Sequence, residues 1–342
     1  MADYRAYPMQ TERGFCLVSQ QIRELIEKGI IKTDFSTLSR GDNGIFTDES
    51  LEKRVQPSSF EPVLGQEAFI LDTEEQGAFS PASSETVYRA LLRLPKRQRD
   101  KVNISGGFEL KTGFTYLFPL QERLLVEDGM LIESSPKSST GRNFPRVRMV
   151  ADFNPAFDEI NHLYGTGITV HPWLLVQPTA FNLIVDEGLP LTQLRFLFGN
   201  DVSLSQSELI EEYSKTPMLH FREKDSSLAP LQVPVITSDG LQMDIDLEGR
   251  DTSGIVGLRA RKNPNPIDLR KNSHHIAEDY FEPVERKDGK VKFRMGEHYL
   301  LASRGVLSVP VHLSAKLRRH YGRGARGDYD EAGFVDNGFT GD

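Results

Sequence analysis

Leu110-Lys111-Thr112-Gly113-Phe114-Thr115-Tyr116-Leu117 and Phe293-Arg294-Met295-Gly296-Glu297-His298-Tyr299-Leu300 align residue for residue. The offset holds further on, where Leu124 meets Leu307 and Val126 meets Val309. Each segment places a cation, a glycine and then a Tyr-Leu pair in the same order, the pattern of a turn feeding a strand. A recurrence at fixed offset reads as two copies of one β-rich unit, with a boundary near 200–235. The stretch 216–234, rich in charge, Ser and Pro, reads as a linker. After Val126 the first copy runs on to Phe198, whereas few residues follow Val309. The second copy is therefore expected to stop before its last strands.

Working outward, strand-like runs dominate. Leu191-Thr192-Gln193-Leu194-Arg195-Phe196-Leu197-Phe198 and Leu241-Gln242-Met243-Asp244-Ile245-Asp246-Leu247 alternate apolar with polar residues, as half-buried strands do. Phe69-Ile70-Leu71 and Val147-Arg148-Met149-Val150 are further candidates. Helical signals are few. Residues 19–28 carry Ile22, Leu25 and Ile26 on one face and stop at Gly29. Ser205 and Glu208 form a capping box ahead of Leu209 and Ile210. Residues 84–92 bring Val87, Leu91 and Leu92 together inside a polar stretch, 72–103, which reads as an insertion between strands. The expected class is mainly β with a few short helices: a first β domain over 1–200 carrying the 72–103 insertion, a helix and linker over 201–235, and a second β domain over 236–342.

Composition removes several function classes. The chain has 342 residues, 38% hydrophobic and 26% charged, enough to bury two cores. Lys+Arg number 41 against Asp+Glu 49, a net charge of -8, so a grip on long nucleic acid through phosphates is not expected. The one dense basic run, Leu317-Arg318-Arg319-His320-Tyr321-Gly322-Arg323-Gly324-Ala325-Arg326, is followed at once by acids. A small anionic ligand fits this balance better. The single cysteine, Cys16, permits no intrachain disulfide and no Cys-rich zinc site, which excludes the zinc nucleobase deaminases with their paired cysteines. The start lacks an apolar leader, and no apolar run approaches the roughly 18 residues that span a bilayer. A soluble cytoplasmic protein without membrane contact is expected.

Three segments carry chemistry. Pro136-Lys137-Ser138-Ser139-Thr140-Gly141-Arg142 gathers two cations, three hydroxyls and a glycine. A phosphate wants this mix: point charge from Lys137, a forked donor from Arg142, hydroxyl donors from Ser138, Ser139 and Thr140, and exposed backbone N–H groups. A solvated basic turn carries the same residues, and spacing alone leaves both readings open. Gln56-Pro57-Ser58-Ser59-Phe60-Glu61-Pro62-Val63-Leu64-Gly65, taken alone, is a polar turn entering a sheet. Ala332-Gly333-Phe334-Val335-Asp336-Asn337-Gly338-Phe339 brackets Asp336 with aromatics and glycines, and either stacks a base or makes a tight turn. His274-His275 reads as a surface loop, because adjacent side chains point apart and do not share a metal.

Together these segments resemble the deoxycytidine triphosphate (dCTP) deaminase family in its double-length bacterial form. Residues 56–65 are similar to its Q-P-[SA]-S-x-D-L-R-L-G motif, 136–142 to P-K-S-S-T-G-R, and 332–339 to A-G-F-x-D-P-G-F. Gly188-x-x-Leu191-x-Gln193-Leu194-Arg195-Phe196 and Phe281-Glu282-Pro283 add support. The resemblance implies two tandem dUTPase-like distorted β-barrel (β-clip) domains and a homo-oligomer, a trimer in single-length members. It implies hydrolytic conversion of dCTP to dUTP and ammonia by a Glu-activated water, without zinc and with Mg²⁺ carried on the triphosphate. Ser138 and Arg142 match the pair that positions the water; Lys137, Ser139, Thr140, Asp336 and Phe339 match substrate contacts.

The departures are specific. Anchoring Trp173-Leu174-Leu175-Val176-Gln177-Pro178-Thr179-Ala180-Phe181 on Pro178 and Phe181 puts Leu175 where the family has its first-half Glu. A slip of register offers only Gln177. The second-half Glu falls after Gly341. Glu61 stands for the motif Asp, Val63 for its Arg, and Asn337 for the Pro of D-P-G-F. These departures leave a catalytically degenerate nucleotide-binding relative as one alternative and a dUTP pyrophosphatase-type hydrolase as another. A reconciling arrangement has the two halves specialised, Ser138 and Arg142 serving a base supplied from the other half.

Overall fold

The computed structural model describes residues 13–33, 53–71, 79–222, 227–249, 254–262, 264–271, 274–318 and 333–341. The chain forms two compact units, one of Met1–Val202, Asn265–Asn272 and Asp330–Gly333, the other of Ser203–Pro264, Ser273–Tyr329 and Phe334–Asp342. Both are mainly β. Their strands lie in small sheets of two to five strands, none of which closes on itself among the described residues.

In the first unit the largest sheet has five strands, in the order Arg99–Asn103, Glu67–Leu71, Thr115–Pro119, Pro172–Pro178, Pro145–Ala151. Part of the 72–103 stretch is thus an edge strand of that sheet. The helix Val87–Arg93, also from this stretch, starts at Thr86, whose hydroxyl accepts from the Arg89 N–H. Val87 and Leu91 drop from it onto Phe69, Leu71, Leu117, Val150 and Trp173, a contiguous apolar cluster. A second sheet sets Thr192–Phe198 between Phe15–Cys16 and Met130–Pro136, with Glu159–Asn161 beyond.

The second unit repeats this wiring. Helix Ser19–Glu27 leads into Ile31–Thr33, which pairs with Glu122–Leu125. Helix Gln206–Lys215 leads into Leu219–Arg222, which pairs with Val306–Ser308. The Gln206–Lys215 helix has the expected capping box, the Ser205 hydroxyl accepting from the Glu208 N–H and the Glu208 carboxylate from the Ser205 N–H. The first three strands of the five-stranded sheet have counterparts in Phe281–Glu285, Ile255–Ala260 and Tyr299–Leu301. The aligned octapeptides form the same tyrosine-capped turn. Tyr116 Oη accepts from the Lys111 N–H and Tyr299 Oη from the Arg294 N–H, each at 2.9 Å. Gly113 and Gly296 both sit at positive φ, 87° and 75°, which an L side chain adopts only with strain.

Two strand expectations differ in the structure. Every residue of Thr192–Phe198 is buried, so this strand is not half-solvated. Its polar side chains find partners inside: Thr192 Oγ1 donates to the Ser135 carbonyl at 2.8 Å, and Arg195 Nη2 donates to Ser58 Oγ at 3.3 Å, although the buried Arg195 Nε makes no hydrogen bond among the described residues. The 241–247 alternation yields only the short strand Gly240–Leu241 and an isolated bridge from Ile245 to Ser303. Asp246 there accepts from the Glu248 and Gly249 N–H groups, a local turn that competes with a strand ladder.

Candidate functional site

Met130–Pro136 runs antiparallel to Thr192–Phe198, with Ser135 opposite Gln193 and Pro136 opposite Thr192. Pro136 has no N–H, and the ladder ends there. Lys137 stays extended, its N–H donating to the Leu191 carbonyl at 3.1 Å, and caps the single helical turn Ser138–Gly141. Phe144, at φ 59°, closes the turn through its N–H to the Gly141 carbonyl. Thr140 is buried and anchors the turn, while Ser138, Ser139 and Arg142 are exposed. The N–H groups of a first helical turn have no acceptor within the helix. One face of this turn therefore offers solvent two hydroxyls and a guanidinium beside backbone donors.

The other motifs from the first half of the chain arrive at the same place. Phe60 and Leu194 exchange backbone hydrogen bonds of 2.8 and 2.7 Å, which lays residues 56–65 beside the buried strand. Ser59 Oγ donates to Gln193 Oε1 at 3.4 Å. The Lys137 ammonium bonds the Glu61 carboxylate at 2.6 Å, joining the phosphate-like turn to the turn at 56–65. Behind Glu61, Arg54 Nε donates to the Glu61 carbonyl at 2.9 Å, its guanidinium lies over the Phe60 ring, and it pairs with Glu122. Glu122 is wholly buried and also accepts from the Val63 N–H at 3.0 Å. Burial pushes its carboxyl up from the ordinary carboxylate range, against the opposing pull of Arg54. Gly333 belongs to this unit too, its N–H donating to Ser135 Oγ at 2.8 Å.

Sequence reading did not find this interior support. Nothing in the spacing of Arg54, Glu61 and Glu122 marks them as neighbours. The one hint is that a charged residue stands among apolar ones in Phe60-Glu61-Pro62.

Asp336 and Phe339 lie in the second unit, in the turn between strands Phe334–Val335 and Thr340–Gly341. The Phe339 N–H donates to the Asp336 carbonyl at 3.2 Å, Gly338 takes φ 76°, and the Phe339 ring is exposed. Ala332 and residues 319–326 of the basic run lie outside the described residues.

Leu175 sits mid-strand, opposite Leu117 and Arg148, and packs against the cluster of Phe69, Leu71 and Trp173. It alternates with Trp173 and Gln177 on one face of the strand. Nearby, burial and the charge of Arg123 push the His171 imidazole down to about 3, and its Nε2 lies 2.6 Å from the Leu120 carbonyl. His275 packs edge-on against His274 and Tyr280, an aromatic contact.

A mainly β protein built from two repeated units, with a hydroxyl-and-guanidinium turn presented by the first, is the class these features define. Comparison with family models gives a narrower statement. The 2'-deoxycytidine 5'-triphosphate deaminase (DCD) N-terminal domain matches residues 14–200, and the C-terminal domain of the same family matches residues 214–342. The chain belongs to the dCTP deaminase family, in its double-length form. It is similar to the crystal structure of 2'-deoxycytidine 5'-triphosphate deaminase from Agrobacterium tumefaciens, at 27% identity and a TM-score of 0.76, over 96% of this chain and 85% of that one. That likeness carries the dUTPase-like β fold. A comparison with curated proteins found no match. No helix among the described residues is long and apolar enough to cross a membrane.

Proposed function

We propose that the chain takes dCTP, carried as its Mg²⁺ complex, and that its chemistry is hydrolytic deamination to dUTP. The supporting observation is the turn at 137–142. Ser138, Ser139 and Arg142 are all exposed, and two other motif segments hold the turn and the strand that leads into it, Glu61 through Lys137 and Thr192 through Pro136. A triphosphate needs several fixed donors at once. A forked guanidinium with hydroxyls and backbone N–H groups supplies them without a large rearrangement.

In the deamination step a water oxygen adds to C4 of cytosine, and its proton moves through a carboxylate to the departing 4-amino group, which leaves as ammonia. Ser138 and Arg142 orient that water and that carboxylate. Leu175 supplies no proton acceptor, so the carboxylate comes from a position other than this one, and a neighbouring subunit of a homo-oligomer is one source. The apolar packing of Leu175 also favours a second reading: the site holds the nucleotide without turning it over.

One experiment tests both. The protein is incubated with Mg²⁺ and dCTP, and separately with dUTP; ammonia and pyrophosphate are assayed, and dCTP binding is measured by calorimetry. Ammonia release lost in Ser138→Ala and Arg142→Ala supports deamination. Binding without ammonia supports the second reading. Pyrophosphate from dUTP, or no nucleotide binding at all, sinks both.

A further inference from the structure

Glu122, Arg54, Glu61 and Lys137 form a chain of alternating charge that runs from the interior to the phosphate-like turn. Glu122 is wholly buried, the Glu61 side chain is 9% exposed, and Lys137 is 23% exposed. Arg54 fixes Glu61 from both sides of its backbone, donating from Nε to its carbonyl and accepting its N–H at the Arg54 carbonyl, each at 2.9 Å. Glu61 therefore has little freedom to move. Its carboxylate lies 2.6 Å from the Lys137 ammonium, at the residue that caps the turn bearing Ser138, Ser139 and Arg142. Lys137 is only partly in water, so the carboxylate cancels charge that solvent would otherwise screen.

We propose that Glu61 is a positioning residue for the phosphate tail: it holds the Lys137 ammonium at the base of the turn and withholds part of its charge, so that an arriving polyphosphate competes with Glu61 for that cation. The inference rests on the reading of residues 137–142 as the phosphate grip. It gives Glu61 a role in setting affinity that is separate from any role in the chemical step. Gln at this position keeps an acceptor oxygen for the ammonium and removes the competing charge. A buried residue that only fills space would give no coupling specific to Lys137.

The test is a double-mutant cycle on binding of Mg²⁺–dCTP and, separately, of inorganic tripolyphosphate, measured by calorimetry on wild type, Glu61→Gln, Lys137→Met and the double variant. Circular dichroism confirms that each is folded. Glu61→Gln is expected to tighten both ligands roughly ten-fold at low salt, a gain that shrinks as salt rises. In the Lys137→Met background the same change is expected to do nothing. An unchanged or weakened affinity in a folded Glu61→Gln protein overturns the inference, as does a gain that persists without Lys137. If Glu61→Gln fails to fold, Glu61→Asp, whose shorter carboxylate loosens the pair, replaces it; the inference then stands only if affinity again rises, and only with Lys137 present. Wild-type protein that binds neither ligand overturns the reading of the turn itself, a result distinct from binding without coupling.

Discussion

Replacing Arg54 by Met tests whether the buried ion pair supports the site. The change strips Glu122 of the cation beside it while leaving the carboxylate at 0% exposure. Removing one partner of a buried pair costs about 3–5 kcal/mol, because the remaining charge is stranded. The stacking on Phe60 and the bond to the Glu61 carbonyl are lost as well, and they overlap with that figure. A loss of about 4 kcal/mol, with a urea slope of about 2–3 kcal/mol per M, lowers the unfolding midpoint by roughly 1.5 M. Trp173, the chain's single tryptophan, lies in the core of the first unit and gives a fluorescence signal for this transition. The pH dependence has a definite sign. Glu122 is already pushed above its ordinary value, and without Arg54 it rises further. Between its unfolded and folded pKa the native state then holds the extra proton, so unfolding free energy falls as pH rises through that window. The deficit of Arg54→Met is therefore largest above that window and shrinks as the solution is acidified through it. Adding Glu122→Gln keeps an acceptor for the Val63 N–H without the charge, and recovers most of the loss. A single variant that loses under about 1 kcal/mol, or a double variant no more stable than the single, refutes the account.

Ser138→Ala and Arg142→Ala, both exposed, are expected to stay within about 0.5 kcal/mol of wild-type stability while losing ammonia release, by denaturation and coupled assay. Leu175→Ala is expected to do the reverse, costing about 2 kcal/mol of packing with turnover retained; loss of turnover in a folded Leu175→Ala would show that the first half houses the reacting centre. Tyr116→Phe removes the acceptor of the Lys111 N–H and costs about 1 kcal/mol in urea unfolding; an unchanged midpoint would mean that the repeated turn is held by its glycine alone. The His171 imidazole, held down to about 3, stays neutral in the native state but takes a proton in the unfolded chain below its ordinary 6.5. This group's contribution to stability is present at neutral pH and falls as the solution is acidified through 6.5. An NMR titration in which His171 shifts between pH 5 and 8 would contradict that.

Much of the architecture was legible because it repeats. The Gly113 and Gly296 turns, the Ser205 capping box and the amphipathic helix after Leu17 are local signals, and each appears where its residues stand. Burial was harder to read. Thr192, Gln193 and Arg195 look solvent-facing in sequence, yet each is in the interior, where partners for polar side chains come from residues 58, 59 and 135. The same blindness hid Glu122, which reads as an ordinary surface acid beside Arg123. The phosphate-like turn was visible as composition, but its bracing by Glu61 was not, since an ion pair across 76 positions leaves no periodic trace.

The two halves share wiring but not side-chain chemistry, and the repeat offset shows where they part. Carried forward at that offset, Pro136 to Arg142 fall on Arg319-His320-Tyr321-Gly322-Arg323-Gly324-Ala325. That segment keeps cations and glycines but has no serine or threonine. Cations alone attract a phosphate from any direction, whereas hydroxyl and backbone donors fix where its oxygens lie. The grip proposed above therefore has directional donors in the first half, at 137–142, and not in the aligned segment of the second. A duplication that keeps one backbone plan in both copies can retain the grip in one and relax it in the other, because the strands that support the turn are set by the plan and not by the hydroxyls. The exposure of Ser138 and Ser139 is consistent with this: they contribute little to the core that holds the turn, and their hydroxyls are left facing solvent.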